Sequence, residues 1–202
     1  MSVLTRPVPK LPLGPHSSGA PLSPEEFDAA EFEEGWRYEL IHGVLVVSPP
    51  PLSKERDPNE ELGRWLRNYQ EDHPQGSALD ATLYEETVIT PAERRRADRV
   101  IYAGLGRAPR RDDVPTIVVE FVSAGKRSLA RDYEEKRDEY LAIGVREYWV
   151  IDRFARGLTV YRPRGSRHTK HVVREDAVYT TPLLPGFELP LDRLLQRADY
   201  WD

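Results

Sequence analysis

The sequence predicts an α/β fold, a mixed central β-sheet flanked by helices. Three observations carry this. Residues 116–122 form a continuous, largely β-branched apolar run after Pro115, the pattern of a strand covered on both faces. Residues 148–151 form a second such run. Between them lies a segment of helical period that stops at Gly144, and strand, helix and strand of these lengths make a crossover unit.

The remaining elements follow in order. Residues 1–23 carry prolines 7, 9, 12, 15 and 21 and read as an extended, disordered tail, because proline fixes φ and removes an amide donor. A single domain is expected over 24–202. Ser23, Pro24 and Glu26 make a capping signature for a helix running to about Gly35. Residues 36–47 read as a hairpin turning at His42-Gly43. Leu62, Trp65, Leu66 and Tyr69 predict an amphipathic helix over 57–72. Strands are expected at 78–89 and 97–103, the crossover helix at 128–143, weaker strands at 158–162 and 168–174, and a final helix near 191–197.

Composition removes several function classes. The chain has 202 residues and no cysteine, so disulfide scaffolds, thiolate metal sites and cysteine nucleophiles are excluded. No apolar run approaches a membrane span, and the N-terminus lacks a signal core, so a cytoplasmic location is expected. A net charge of −5 argues against a general nucleic-acid coat and leaves room for a local basic groove. Gly104-Leu105-Gly106 lacks the rest of a phosphate loop. His168 and His171, three apart on a strand, point to opposite faces and do not make a zinc pair.

Three residues stand where packing alone would not put them. Glu120 interrupts a buried strand, where a carboxylate needs a partner or a metal. On the crossover helix, Leu129, Tyr133, Tyr140 and Ile143 form the inward stripe, and Lys136 fills the gap in it. Asp132 lies one turn before Lys136, on an adjoining face. Asp98 opens the strand 97–103 and on its own is unremarkable. Two acids on neighbouring strands with a lysine suit phosphodiester hydrolysis: carboxylates hold Mg²⁺, and lysine orients water or offsets developing charge. A buried Glu120–Lys136 pair in an ordinary interaction protein is the competing reading.

Beyond these residues, Val118-Val119-Glu120-Phe121-Val122-Ser123 and Gly144-Val145-Arg146-Glu147-Tyr148-Trp149-Val150-Ile151-Asp152 resemble the Uma-type putative restriction endonuclease family of the PD-(D/E)xK nuclease superfamily. Tyr38-Glu39-Leu40-Ile41-His42-Gly43 and Leu184-Pro185-Gly186-Phe187 resemble its other recurring segments, in the same order. The resemblance implies a restriction-endonuclease-like core and metal-dependent cleavage of DNA. It implies Asp98 and Glu120 as metal ligands, the backbone carbonyl of Phe121 as a further ligand, and Lys136 as a relocated lysine, since position 122 is Val. It implies Glu39 as an additional acid. The ion would be Mg²⁺, or Mn²⁺ in its place. The chain departs from the family in Ala97, where proline is usual before the first Asp, in His42-Gly43-Val44 and in Lys54-Glu55-Arg56-Asp57. These departures keep open a catalytically weak or inactive nuclease-fold binding or regulatory protein. Arg95, Arg96 and Arg99, within a basic concentration flanking Asp98, are candidate DNA contacts. A homodimer is compatible with double-strand cleavage.

Overall fold

The computed structural model describes residues 12–124 and 131–201. By internal contacts the chain divides into two compact units. One comprises the residues up to Pro50 with Pro91–Arg94; the other comprises Pro51–Thr90 and the chain from Arg95 onward. The expected boundary at residue 24 falls inside the first unit.

In the first unit Ser23 caps helix α1 (Pro24–Asp28) reciprocally. Its hydroxyl accepts from the Glu26 N–H at 3.2 Å, and the Glu26 carboxylate accepts from the Ser23 N–H at 2.8 Å. The helix ends after five residues instead of reaching Gly35. The cause is non-local. The Leu13 N–H donates to the Glu31 carbonyl and the Glu33 N–H to the Leu13 carbonyl, which holds Phe32 extended in a bridge to Leu13. Strands β1 (Arg37–Ile41) and β2 (Val44–Ser48) form the expected hairpin. Its turn residues His42 and Gly43 both have positive φ (51° and 73°), as a two-residue turn of this hand requires.

Residues 1–11 of the expected tail lie outside the described residues. Residues 12–22 correct the expectation of disorder. Gly19 and Leu22 donate their N–H groups to the carbonyls of Leu45 and Gly43, and Leu45 donates to Ala20. Leu13, Ala20 and Leu22 pack on Phe27, Tyr38, Leu40 and Leu45. The apolar residues between the prolines decide the outcome, since they have a surface to bury against.

The second unit begins with α2 (Ser53–Asp72), four residues earlier than expected and continuous through Pro58. Its strands run in the order β3 (Leu79–Ile89), β4 (Arg94–Ala103, from Arg95 in this unit), β5 (Ile117–Phe121), β6 (Glu147–Asp152), β7 (Gly157–Arg164), β8 (Arg167–Arg174). β5 and β6 are parallel, while the β4–β5, β6–β7 and β7–β8 pairs are antiparallel. The sheet is therefore mixed and mostly antiparallel, with the crossover where the sequence places it. Strand alternation gives it two apolar faces. Val119, Phe121, Trp149 and Ile151 pack with Leu62, Leu66 and Tyr69 of α2 and with Leu191, Leu194 and Leu195 of the last helix, α4 (Leu191–Asp199). On the other face Val100, Val118, Val122, Tyr148 and Val150 pack with Tyr140. A separate two-stranded ladder, β9 (Val178–Thr180) and β10 (Glu188–Pro190), precedes α4.

Of the expected crossover helix, Ser128 and Leu129 lie outside the described residues. The described part is a π-helical turn, Arg131–Glu135, followed by α3 (Lys136–Ala142). It stops before Gly144 at φ 101°.

Candidate functional site

The site is built where β4 and β5 run side by side. Their register pairs Arg99 with Val119, so the next step along the ladder sets Asp98 opposite Glu120, on the same face of the sheet. Cross-strand neighbours have Cβ atoms roughly 4.5–5.5 Å apart. Asp98 is fixed by a hydrogen bond from the Phe121 N–H to its Oδ2 at 2.8 Å. Lys136, on α3, points into this face as its place in the helical stripe predicts. Its Nζ lies 2.9 Å from Glu120 Oε1 and 3.9 Å from Asp132 Oδ1, and donates to the Arg96 carbonyl at 3.4 Å. The Tyr140 hydroxyl donates to Glu120 Oε1 at 3.2 Å.

Asp98, Glu120 and Lys136 are thus brought together. Asp132 joins them, a residue whose place sequence reasoning left on an adjoining face. It is 1% exposed, and Arg131 lies against its carboxylate at 3.2 Å. The Tyr148 hydroxyl holds the turn by donating to the Asp132 carbonyl at 2.8 Å. Asp132 sits in the π-helical turn, a local widening that takes an extra residue and recurs at functional sites. The spacing of four between Asp132 and Lys136 was the signal available in the sequence. Glu39 lies buried on β1, in the first unit.

Electrostatics follow from burial. Glu120, Asp132 and Lys136 are each at most 2% exposed. Burial raises the Glu120 carboxyl well above its ordinary range; Lys136 opposes this, while Asp98 and Asp132 reinforce it. Asp132 is raised by the same cause, with Lys136 and Arg131 opposing and Asp98 reinforcing. Tyr148 is pushed far up, first by burial and then by Glu120 and Asp132, and stays a hydroxyl donor. Protonation of a carboxyl is one way to relieve this excess of negative charge. A divalent cation is another.

The donor set suits one kind of ion. It offers hard carboxylate oxygens and neither thiolate nor imidazole, which matches magnesium-class ions and not zinc. Among the described residues no group of three or more His, Cys, Asp or Glu is arranged to hold a metal. Mg²⁺ asks less than that: it keeps several waters and takes one or two protein carboxylates. Asp98 and Glu120 are two carboxylates on neighbouring strands.

The candidate DNA contacts are distributed differently from expectation. Arg95 is wholly buried, and its guanidinium is held by Glu139 (Nε–Oε2 2.7 Å, Nη2–Oε1 2.5 Å) and Glu135 (3.5 Å). Arg99 is buried against Asn59 and Thr82, with Nε–Oδ1 2.7 Å and Nη1–Oγ1 3.0 Å, and burial pulls its pKa down to about 10. Asn59 in turn donates to the Asp98 carbonyl at 2.8 Å, so Arg99 braces the strand that carries the site. The protein's own acceptors occupy the faces that phosphate contact would require of Arg95 and Arg99. Arg96 differs, with a side chain 37% exposed, 3.5 Å from Glu85.

Glu147 of the Gly-Val-x-Glu-Tyr-Trp segment is a fastening point. Its carboxylate accepts from Trp149 Nε1, Arg162 Nε, the Tyr179 hydroxyl and the Thr181 hydroxyl, all within 2.9 Å. It ties β6 to β7, to β9 and to the turn after it.

Comparisons with known proteins agree with this architecture. A crystal structure of a putative nuclease belonging to DUF820 from Anabaena variabilis is similar, with a TM-score of 0.69 at 17% identity, covering 88% of this chain and 99% of that one. At that identity the likeness shows the fold. No curated protein matches the sequence. The family model Uma2, described as a putative restriction endonuclease, matches residues 24–192, from the first helix to the start of the last. The chain belongs to the Uma2 family, whose description is putative restriction endonuclease.

Proposed function

We propose that this chain is a divalent-cation-dependent endonuclease that hydrolyses phosphodiester bonds in DNA. Asp98 and Glu120 hold the cation, Mg²⁺ or Mn²⁺, with the Phe121 backbone carbonyl as a further ligand. When bound, such an ion lowers the pKa of a coordinated water and offsets charge on the phosphate. The Phe121 N–H keeps Asp98 in place, and the Tyr140 hydroxyl keeps Glu120 in place. Lys136 orients the attacking water and offsets the charge that develops as an ester oxygen leaves. Glu39 enters as an additional acid on the family resemblance alone.

The observation that carries the reading is the Lys136 ammonium 2.9 Å from Glu120, on the strand whose Phe121 N–H holds the Asp98 carboxylate at 2.8 Å. The test is calorimetric titration with Mg²⁺ or Mn²⁺ and plasmid nicking, on wild type and Glu120→Ala. Binding and nicking should both vanish in the variant while its far-UV spectrum is kept. Absence of metal binding by the wild type at millimolar-range concentrations would sink the proposal. The near-complete burial of Glu120, Asp132 and Lys136 favours a second reading, a nuclease fold with little catalysis. Metal binding without nicking is its signature.

A further inference from the structure

The arginine-rich start of β4 is neutralised internally, so a phosphate-binding surface has to be sought elsewhere in the unit. Residues 153–174 carry seven Arg and Lys and no Asp or Glu. The whole chain is −5, this stretch is +7, and the rest is therefore −12. The stretch folds into the β7–β8 hairpin, whose second strand is the last in the sheet order.

Arg153 lies over the Phe154 ring, and the other six cations fall into two sets. Arg156, Arg162 and Arg174 are engaged by Glu175 and Asp199, by Glu147 and by Asp176. Arg164, Arg167 and Lys170 are exposed and have no carboxylate partner among the described residues. The register sets Arg164 directly opposite Arg167 across the Gly165-Ser166 turn. Like charges placed opposite each other destabilise a hairpin, and the cost is relieved when an anion is bound between or over them. The same register pairs Lys170 with Tyr161, on the face opposite to Arg164 and Arg167, so cationic groups emerge on both faces of the strand pair. Glu120 pairs with Val150 and Val150 with Thr159, so Lys170, opposite Tyr161, shares the face of the site while Arg164 and Arg167 lie on the other face, and the turn is five residues along β7 from the level of the site, roughly 17 Å by strand rise.

We infer that the exposed cations of the β7–β8 hairpin, Arg164, Arg167 and Lys170, bind the phosphate backbone of duplex DNA. The choice of DNA rests on the nuclease reading above. Contacts of this kind set affinity without reading bases and answer to salt in a defined way.

The test uses the full chain in EDTA, so that binding is measured apart from cleavage. Fluorescence anisotropy with a short labelled duplex gives the slope of log affinity against log salt for wild type, for Arg164→Gln/Arg167→Gln/Lys170→Gln, and for the charge-keeping Arg164→Lys/Arg167→Lys/Lys170→Arg. Three lost phosphate contacts should flatten the slope by about 2.7, so between about 50 and 200 mM salt the wild type should lose about 40-fold more affinity than the Gln variant. The charge-keeping variant should follow the wild type, as should Arg110→Gln/Arg111→Gln on another loop. Equal slopes for wild type and the Gln variant, or no duplex binding by the wild type, would overturn the inference. Self-association of the Gln variant with an unchanged slope would overturn it too, and would make the charges guards of an open sheet edge. Failure of wild-type nicking with the slope difference intact would strike the proposed chemistry and leave the hairpin's role standing.

Discussion

Replacing Lys136 by Met tests the central geometry. The ammonium lies 2.9 Å from Glu120 and 3.9 Å from Asp132. At an effective dielectric of ~20 those separations correspond to gross attractions of about 6 and about 4 kcal/mol. Against them stands the desolvation of a wholly buried ammonium, several kcal/mol, so the net loss should be about 3–5 kcal/mol. The loss should depend on pH, and the sign follows from burial. Glu120 and Asp132 are raised in the folded state even with Lys136 present. Without it they rise further, so the folded chain holds more protons than the unfolded chain and stability falls as pH climbs above the ordinary carboxylate range. Because both carboxyls are raised, the gap between wild type and variant should narrow towards about pH 4 and be widest near about pH 8. Urea denaturation followed by tryptophan fluorescence, in EDTA at both pH values, measures it. Adding Glu120→Gln to Lys136→Met should recover more than half of the loss, because a buried charge left alone costs more than the pair is worth. A gap below about 1 kcal/mol that is the same at both pH values, or no recovery in the double variant, would refute the reasoning.

Three further outcomes are expected. Mg²⁺ should bind more tightly as pH rises through the raised Glu120 range and release protons on binding, which titrations in two buffers of different ionisation heat would show. Arg95→Met should cost about 3–5 kcal/mol by stranding Glu139, with no change in the salt dependence of DNA binding, measured by melting and anisotropy. Glu147→Ala should cost at least about 3 kcal/mol in urea, since Trp149, Arg162, Tyr179 and Thr181 all lose a buried acceptor, whereas Glu147→Gln should cost less.

Much of this site can be read from the sequence because its information is periodic. A charged residue inside an apolar strand and a lysine in an apolar helical stripe both announce where they point, and Glu120 and Lys136 do. Asp98 is placed by strand pairing, which hydrophobic pattern constrains. What escaped the sequence depends on partners far along the chain. Arg94-Arg95-Arg96 offers no apolar alternation, so nothing local shows that Arg95 turns inward to Glu139, 44 residues on. The first helix is cut short by Leu13, and the segment 12–22 is ordered by carbonyls of the β1–β2 hairpin. Asp132 is carried inward by a π-helical turn that breaks the 3.6-residue period from which its face was judged.

The role of Glu147 bears on how such chains change over time. The segment around it is the most recognisable stretch of this sequence, yet its carboxylate binds tryptophan, tyrosine, threonine and arginine side chains that hold strands together. Selection for a foldable scaffold is enough to preserve it. Asp98 and Glu120 are held by a different set of groups, so a lineage can exchange them for neutral residues and still carry the fingerprint intact. On the proposed chemistry, kinship and catalysis would rest on separate residues, and only the second set would tell an active enzyme from its silent descendants.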